Sequence, residues 1–518
     1  MDAPVQVRSG ASAVRASRPG WAEITFAATA FAVLCIAVLS VAPQLVEPDD
    51  YAYRGSIVAM TQGHFLTLSA AQFHALSVRL ARSSGPRPQV RAVGQAGGRP
   101  GVRVVGPAGG PPGVAQWIRL PDGRWISEKD PGYPFLAAPF QLLGVIRLAP
   151  LFYGALGCLG LFFGARRWLG RLGGAAAVGL FCTSGAALLF AWRDYMPTFT
   201  EAGLIAAGTG ALLWTLLATE ASARRRTWTG LLGFVAIEAA VFSRYSNVAV
   251  LGCAVLAVLA LRLRRPEILP RRALWWWLGS AVLFAAGVAV FNDLVYGGPL
   301  RSGYRPGEIR FGLGSVLPNL RYMPGHLIQA MPMLVLGLAG LAWIGARWLR
   351  LAPRHGRPRS ARRDTAGRRD PADARRDPAD ARRDAAVGLA LAASWFSVWG
   401  LYAAYSWTAG PGLSTLQAAR FYVPVIGAIA LLGAWLLTHL PLRASMTALT
   451  SAAVVAAMAG LGIWSFTNTG QFRLGPPHIL HGPPGKPPPG GKRPPGAAGA
   501  PAAGGPYNRS AGPSGQPG

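Results

Sequence analysis

Two adjacent carboxylates follow the first apolar stretch of the chain. Asp49 and Asp50 lie in VEPDDYAYRGS, shortly after an apolar run at residues 21–43. A carboxylate can accept the proton of an alcohol that is presented to it, so the pair could supply a general base. The same residues could instead cap the following helix and place charge at a membrane interface. Under either interpretation, the carboxylates lie where a hydrophobic helix would leave a membrane.

A second charged group lies in WISEKDPGYPFLAAP, residues 125–139. Glu128, Lys129 and Asp130 precede a Pro-Gly-Tyr-Pro sequence that is typical of a turn. A lysine here could pair with a phosphate, and a flanking carboxylate could bind a metal ion. The alternative is an ordinary charged loop at a membrane interface.

The third group lies in FAWRDYMPTFTEAG, residues 190–203. Arg193 and Asp194 could form a simple ion pair at the interface. Asp194 is predicted to emerge on the same side of the membrane as Asp49. Glu201 lies inside the next apolar run, where an ionisable side chain favours a functional role.

Arginines at predicted helix ends complete the set. Arg244 occurs in FSRYSN and Arg420 in LQAARFYVPV. Each could simply extend its guanidinium to the lipid headgroups. Together they could bind an anionic lipid phosphate, since a guanidinium presents forked donors to phosphate oxygens.

The elements that position these residues are apolar helices. Of the 518 residues, 51% are hydrophobic and only 14% are charged. The apolar residues cluster in runs of roughly 18 to 23, a length that spans a bilayer core. The sequence therefore predicts an all-α, polytopic membrane protein of about eleven transmembrane helices. The predicted spans are 21–43, 148–166, 174–192, 197–218, 228–243, 246–262, 274–295, 326–347, 386–406, 421–438 and 446–467.

The distribution of arginines predicts the orientation. The net charge is +30, and basic residues gather in alternate connections, among them residues 166–171, 224–226 and 262–272. Because cytoplasmic loops carry the excess of Lys and Arg, we expect the N-terminus inside and Asp49 outside. The same distribution argues against nucleic acid as a partner, since the charge encodes topology rather than one basic binding face.

Composition also predicts the domain organisation. The first external loop is long and should carry juxtamembrane helices, because DDYAYRGSIVAMTQGHFLTL has helical periodicity. Biased composition marks the other segments as solvated or disordered. The predicted segments are a cytoplasmic N-terminus (1–20), a transmembrane domain (21–467) with its first external loop (44–147), a low-complexity insertion (83–116), a cytoplasmic Arg/Asp repeat linker (350–385) and a disordered Pro/Gly-rich tail (468–518).

These landmarks, in this order, resemble integral-membrane glycosyltransferases of the C-type fold that use polyprenyl-phosphate sugars. That family includes the aminoarabinose transferases of lipid A and the protein O-mannosyltransferases. The segments that carry the resemblance are DDYAYRGSIVAMTQGHFLTL, EKDPGYPFL, RDYMPTFTEAGL, FSRYSN, YGGPLRSGY and ARFYVPV. The resemblance extends over about residues 21–440, outside the low-complexity segments. This chain departs from the family in its Asp-Asp pair, in the aspartate that follows Glu-Lys, and in the insertion.

The resemblance implies an enzyme of the cell membrane with an extracytoplasmic active site. It would transfer a hexosyl or pentosyl unit from a polyprenyl-phosphate donor to a hydroxyl of a lipid, glycan or protein, with a divalent cation as a candidate cofactor. Attack from the face opposite the phosphate would invert the anomeric carbon. The implied site comprises the catalytic carboxylates Asp49 (general base) and Asp50, the donor-phosphate ligands Lys129, Arg244 and Arg420, and the metal ligands Glu128 and Asp194.

Two alternatives belong to other classes. A lipid or sugar transporter is one, although such proteins often show internal repeats and charges at the membrane midplane. No clear repeat relates these spans, and most acidic residues fall at one predicted interface. A ligase or polymerase of cell-wall polysaccharide would share the donor class but lacks the Asp-pair landmark.

Overall fold

The computed structural model describes residues 20–43, 45, 47–83, 116–304, 309–351, 378–410 and 413–470. Nearly all of the predicted N-terminal segment and insertion, most of the repeat linker and almost the whole tail lie outside these residues. The end of the predicted linker is described, and it is helical from Pro378 onward.

The described chain is almost entirely helical, so the all-α prediction is confirmed. A small antiparallel hairpin is added in the first loop, where Trp117 in β1 (Trp117–Arg119) lies opposite Ser127 in β2 (Trp125–Ser127). The helices are α1 (Trp21–Leu39), α2 (Pro48–Thr61), α3 (Ala70–Ser83), α4 (Gly132–Leu142), α5 (Leu148–Leu169), α6 (Arg171–Thr183), α7 (Gly185–Ala191), α8 (Thr198–Leu217), α9 (Ala223–Ser243), α10 (Val248–Arg264), α11 (Arg271–Tyr296), α12 (Val316–Ala330), α13 (Met333–Leu351), α14 (Pro378–Ala403), α15 (Thr415–Ala419), α16 (Ile426–Thr438) and α17 (Ala444–Gly470).

The protein is a polytopic membrane protein. All eleven predicted apolar runs are helical, and eight described stretches are long and apolar enough to cross a membrane. One of the eight, Leu148–Thr183, breaks at Gly170, whose positive φ of 79° ends α5 and starts α6. The apolar helix ending at Thr438 is shorter than a full span. The number of eleven therefore stays a prediction.

Close backbone contact holds the central helices together. A Cβ on Gly210 of α8 would lie 2.1 Å from the carbonyl oxygen of Gly160 in α5, so these two helices touch through glycine. Membrane helices associate through such small residues because lipid provides no hydrophobic driving force between them. Helix α16 is buried along residues 426–437, which explains why it is apolar all round.

The first external loop folds into two small cores beside this bundle. One core packs α2 against α4, with Ile57 and Tyr133 fully buried. The other packs α3 onto the hairpin, where the rings of Phe73 and Trp125 stack with centroids 4.2 Å apart. The predicted juxtamembrane helices thus exist, and α2 is largely buried within the protein.

Ionic contacts fix both ends of α1. Near its start, Glu23 pairs with Arg166 at the end of α5. Beyond its other end, buried Arg147 donates to the carbonyl oxygens of Val38 and Val41 at 2.9 and 2.8 Å. A cation at a helix C-terminus satisfies carbonyls that the helix itself leaves open. These contacts make α1 and α5 antiparallel and position the segment that carries Asp49.

Candidate active site

The residues before α2 organise one side of the site. Glu47 is the N-cap of α2 and Pro48 is its first residue, a position that suits proline because no intrahelical N–H is lost. The backbone N–H of Glu47 donates to Oδ2 of Asp50 at 2.9 Å in a capping box. Asp50 is 1% exposed and lies 2.7 Å from Nη2 of Arg193. The capping interpretation therefore describes Asp50.

Asp49 points to two cations instead. Its Oδ1 lies 3.2 Å from Nζ of Lys129, and its Oδ2 lies 2.9 Å from Nη1 of Arg420. The Asp49 side chain keeps 17% of its surface exposed. Burial opposes ionisation, but the two cations outweigh burial and hold the pKa of the Asp49 carboxyl well below its usual range. The Gln116 side chain adds a hydrogen bond to the carboxylate.

Lys129 lies at the centre of the cluster. Its ammonium contacts Glu128 at 3.3 Å and the hydroxyl of Tyr304 at 3.2 Å, with the Tyr304 ring centroid 4.9 Å away. The lysine is held between β2 and α4, and α4 begins at Gly132, where a Cβ would lie 2.3 Å from the backbone of Phe242 in α9. Burial disfavours the charge, yet the surrounding acids outweigh it and raise the pKa of Lys129 above its usual value.

Arg420 joins the carboxylates before α2. Its Nη1 lies 2.8 Å from Oε2 of Glu47 as well as 2.9 Å from Asp49. Its guanidinium stacks over the rings of Trp407 and Phe421, with centroids 4.6 and 4.7 Å away. The aromatic rings restrict the guanidinium, which is therefore already oriented toward the site.

Glu47 connects the two parts of the cluster. Its Oε2 accepts from Arg193 at 3.1 Å and from Arg420 at 2.8 Å. Arg193 is fully buried, and its partners are Glu47 and Asp50. The ion pair that the sequence suggested for Arg193 involves different carboxylates from its neighbour Asp194.

Arg244 borders the cluster and is held by its own partners. Its Nη1 donates to the backbone oxygen of Arg420 at 3.2 Å, and its Nε lies 3.4 Å from Oε1 of Glu201. Asn247 donates to the other carboxylate oxygen of Glu201 at 3.1 Å. Glu201, inside an apolar helix, thus anchors a cation that the resemblance assigned to the donor phosphate.

The two predicted metal ligands belong to different surroundings. Glu128 contacts Lys129, whereas the backbone oxygen of Asp194 accepts a hydrogen bond from Tyr133 and its charge acts on Arg147. Among the described residues, no three His, Cys, Asp or Glu side chains form a group that could hold a metal ion. The divalent cation therefore stays a candidate cofactor, and its assignment to Glu128 and Asp194 stays a prediction.

An apolar pocket adjoins the charged cluster. Lys129 lines it together with side chains from α2, the following turn and α11. The apolar lining includes Met60, Phe65, Leu66, Ile126 and Phe291. Phe65 and Leu66 are about half exposed, so the pocket communicates with the protein surface. The volume of the pocket is about 30 Å³, room for one or two water molecules, so an apolar tail on an anion at Lys129 would lie over the exposed Phe65 and Leu66.

Sequence reasoning located part of this arrangement. The structure brings Asp49, Lys129, Glu128 and Arg420 into direct contact and sets Arg244 beside them. The contacts described for Asp194 are with Tyr133 and Arg147. The residues that the sequence interpretation missed are Glu47, Gln116 and Tyr304, together with the role of Arg193. Only Glu47 carried a local signal, since it precedes Pro48 in the acidic VEPDD segment.

Comparisons with known proteins give structural neighbours alone. No protein-family model and no curated protein sequence matches the chain. The chain is similar to the crystal structure of ArnT from Cupriavidus metallidurans bound to undecaprenyl phosphate, with 16% identity and a TM-score of 0.44 over 84% of this chain and 63% of that one. It is also similar to the Archaeoglobus fulgidus oligosaccharyltransferase in the apo form, with 12% identity and a TM-score of 0.46 over 88% and 57% of the two chains.

A further similar structure is the archaeal oligosaccharyltransferase AglB from Archaeoglobus fulgidus in complex with an inhibitory peptide and a dolichol-phosphate. Its identity is 12% and its TM-score 0.42, over 88% of this chain and 57% of that one. The chain spans less than two thirds of the length of each of these proteins.

Proposed function

We propose that this protein transfers a sugar from a polyprenyl-phosphate donor to an acceptor hydroxyl, at the membrane face where Asp49 lies. The observation that carries the proposal is the position of Lys129. Its ammonium contacts the Asp49 carboxylate at 3.2 Å, and the same residue lines the apolar pocket. A phosphate at Lys129 would thus have a carboxylate base on one side and, on the other, the exposed Phe65 and Leu66, over which its lipid tail would lie.

The donor phosphate binds at the cations that hold Asp49. Lys129 and Arg420 are both oriented before any ligand arrives, Lys129 by Tyr304 and Arg420 by the rings of Trp407 and Phe421. Preorganised cations stabilise charge that develops on a leaving group, here the phosphate oxygen. The anionic donor competes with Asp49 for these two partners.

This competition prepares the base. In the ligand-free site the two cations keep the pKa of Asp49 low, and a weakly basic carboxylate is a poor proton acceptor. When a phosphate shares Lys129 and Arg420, its negative charge cancels part of their effect and the basicity of Asp49 rises. Donor binding therefore precedes productive binding of the acceptor.

The reaction follows from that geometry. Asp49 removes the proton of the acceptor hydroxyl as the acceptor oxygen bonds to the anomeric carbon. The bond from that carbon to the phosphate oxygen breaks, and its electron pair leaves on the polyprenyl phosphate. Attack opposite the leaving group inverts the anomeric configuration. Asp50 supports the reaction from its capping position, since it fixes Arg193 and the start of α2.

The face of the membrane follows from the arginines. Arg166, Arg167 and Arg171 lie at the helix ends opposite those that carry Asp49 and Arg193. If the positive-inside rule holds for this chain, Asp49 lies on the extracytoplasmic side. The donor headgroup would then be presented from the outer leaflet of the cell membrane.

Transfer by the purified protein tests the proposal. A panel of radiolabelled polyprenyl-phosphate sugars is incubated with the full chain and with lipid, glycan and peptide acceptors, with and without a chelator. We expect labelled product and released polyprenyl phosphate with at least one sugar, and no product with Asp49→Asn. A protein that moves labelled sugar across vesicle membranes without forming product, and does so equally in Asp49→Asn, would be a transporter instead.

A further inference from the structure

A second pocket lies between the first turns of α9 and α11. These helix ends are opposite the ends from which Arg244 and Tyr304 reach the Asp49 site. The pocket is lined by Arg224, Thr227, Trp228, Leu231, Arg272 and Trp276 among others. Its volume of about 380 Å³ falls within the range of roughly 300–1,000 Å³ that ligand pockets occupy.

The packing of α9 on α11 explains why space remains there. A Cβ on Gly230 would lie 2.0 Å from the Trp277 ring, so this ring packs directly on the backbone of α9. The Trp277 indole N–H donates to the carbonyl oxygen of Thr227 at 2.9 Å. The rings of Trp228 on α9 and Trp276 on α11 lie side by side between the two helices, with their centroids 6.4 Å from each other. More than half of each of these two side chains is exposed.

The pocket is positively charged. Arg224 and Arg272 are exposed, and no carboxylate is among the lining residues. Within the described part of the chain, neither guanidinium has an ion-pair partner. The nearby acids are engaged elsewhere, Glu220 with Arg167 and Glu267 with Arg265.

The helix dipoles add to this charge. The first turns of α9 and α11 contain no acidic residue. The neutral Ser222 hydroxyl caps α9 by accepting from the backbone N–H of Arg225, whereas no side chain caps the start of α11. The positive ends of the two dipoles are therefore not neutralised locally. Two arginines and two such helix ends around one cavity favour an anion.

We propose that this pocket binds the phosphate headgroup of an anionic glycerophospholipid. The forked donors of Arg224 and Arg272 suit phosphate oxygens, and basic pockets between membrane helices on the cytoplasmic side are typical sites for anionic headgroups. The exposed indoles of Trp228 and Trp276 have the amphipathic character that favours the headgroup level. Exposed Leu232 on α9 provides apolar surface for an acyl chain, which a free anion would not need.

The chain supplies matched controls for this pocket. Arg271 and Trp275 immediately precede Arg272 and Trp276 on α11, are also exposed, and do not line the pocket. General attraction of basic residues to an anionic membrane would affect both arginines of this sequence pair alike. A defined site would respond only to the residue that lines it.

Native mass spectrometry of the full chain provides the test. The protein is titrated with short-chain phosphatidylglycerol, with phosphatidylcholine as the neutral probe and inorganic phosphate as the free anion. We expect Arg224→Gln/Arg272→Gln to weaken phosphatidylglycerol binding about 30-fold, since each arginine near a membrane surface contributes about 1 kcal/mol. Trp276→Ala should also weaken binding, while Arg271→Gln and Trp275→Ala stay within about twofold of the wild type.

Each contrary result overturns the proposal. A loss in Arg271→Gln equal to that in the single variant Arg272→Gln would show diffuse attraction instead of a pocket. Phosphatidylcholine that binds as well as phosphatidylglycerol would show an apolar groove, and inorganic phosphate that binds as tightly as the lipid would show a free-anion site. Because the altered side chains are exposed, circular dichroism should show unchanged helix content in every variant, so a loss of binding reports on the pocket.

Discussion

The ammonium nitrogen of Lys129 lies 3.2 Å from Oδ1 of Asp49. The proposed base and the proposed phosphate ligand therefore neutralise each other in the ligand-free protein. The two residues can therefore be distinguished by experiment. Loss of Lys129 should weaken donor binding, whereas loss of the Asp49 carboxylate should strengthen donor binding and remove the base.

Loss of the base should abolish transfer and leave the fold intact. For Asp49→Asn we expect transfer to fall by about 10²- to 10⁴-fold, the usual contribution of a general base. The asparagine keeps the size of the side chain, so insertion and the unfolding midpoint should change little. Initial rates of sugar transfer check this. Asp122→Asn, in the exposed turn of the β1–β2 hairpin of the same loop, is the control and should transfer at the wild-type rate.

The same Asp49→Asn variant should bind the lipid phosphate more tightly. Without the Asp49 carboxylate, Lys129 and Arg420 each keep one acidic partner, Glu128 and Glu47, and face less competition for phosphate oxygens. We therefore expect affinity for sugar-free polyprenyl phosphate to rise about 3- to 10-fold. Lys129→Gln should have the opposite effect. Displacement of a labelled polyprenyl phosphate measures both, and weaker binding in Asp49→Asn would mean that the phosphate does not share these cations.

The buried ionic network should contribute strongly to stability. Arg193 is fully buried, so Arg193→Gln removes the cation that contacts Asp50 at 2.7 Å and leaves Glu47 with Arg420. Breaking one partner of a buried pair costs about 3–5 kcal/mol, and we expect a large drop in the detergent unfolding midpoint. Arg167→Gln is the control, because its partner Glu220 is 56% exposed and surface pairs contribute about 1 kcal/mol or less. Similar midpoints in the two variants would contradict the network.

Asp130 should make stability depend on pH. Burial raises its pKa to about 7, although the Tyr245 N–H, Arg244 and Lys129 oppose that rise. The folded state then holds a proton that the unfolded chain, with a pKa near 3.8, has released. Stability should therefore fall as the pH rises from about 4 to 7, by at most about 1.4 kcal/mol per pH unit, and level off above 7.

Asp130→Asn should flatten that dependence. Unfolding midpoints measured between pH 4.5 and 8 should fall with pH in the wild type and less steeply in Asp130→Asn. Asp122→Asn should retain the wild-type slope. Glu201 also acts on Asp130 and shares its surroundings, so an unchanged slope in Asp130→Asn would place the titration on another group.

The sequence predicted those features that depend on local pattern. The apolar runs predicted the helices, and charge next to a turn singled out Asp49 and Lys129. Contacts between segments that are distant in sequence have no local pattern that predicts them. Arg420 reaches Glu47 across 373 positions, and Tyr304 reaches Lys129 across 175, so nothing near either residue in sequence indicates its partner. Hydropathy also does not decide the number of spans. The apolar stretch Leu148–Thr183 counts as one candidate span by composition, yet its helix breaks at Gly170.

Asp50 shows how one local pattern can have two meanings. Adjacent aspartates after a membrane helix suit a catalytic pair and also suit the first turn of a helix, where acidic residues favour the dipole. In the structure the two residues divide these roles, since Asp50 caps α2 and Asp49 faces the cations. Successive residues of a helix are rotated by about 100°, so the two side chains point in different directions. Which aspartate faces the cations cannot be predicted until the first residue of the helix is known.

A single glycine should control the orientation of Lys129. Gly303 passes so close to Glu128 that a Cβ would lie 2.4 Å from the Glu128 backbone, so Gly303→Ala must displace the segment that carries Tyr304. The Tyr304 hydroxyl would then lose its contact with Lys129, and we expect the affinity for polyprenyl phosphate to fall about tenfold, as for one lost hydrogen bond to a charged group. Equilibrium binding measures this, with Gly312→Ala as control because a Cβ there meets nothing within 4 Å. If Gly303→Ala binds like the control, Tyr304 does not orient Lys129 for the donor.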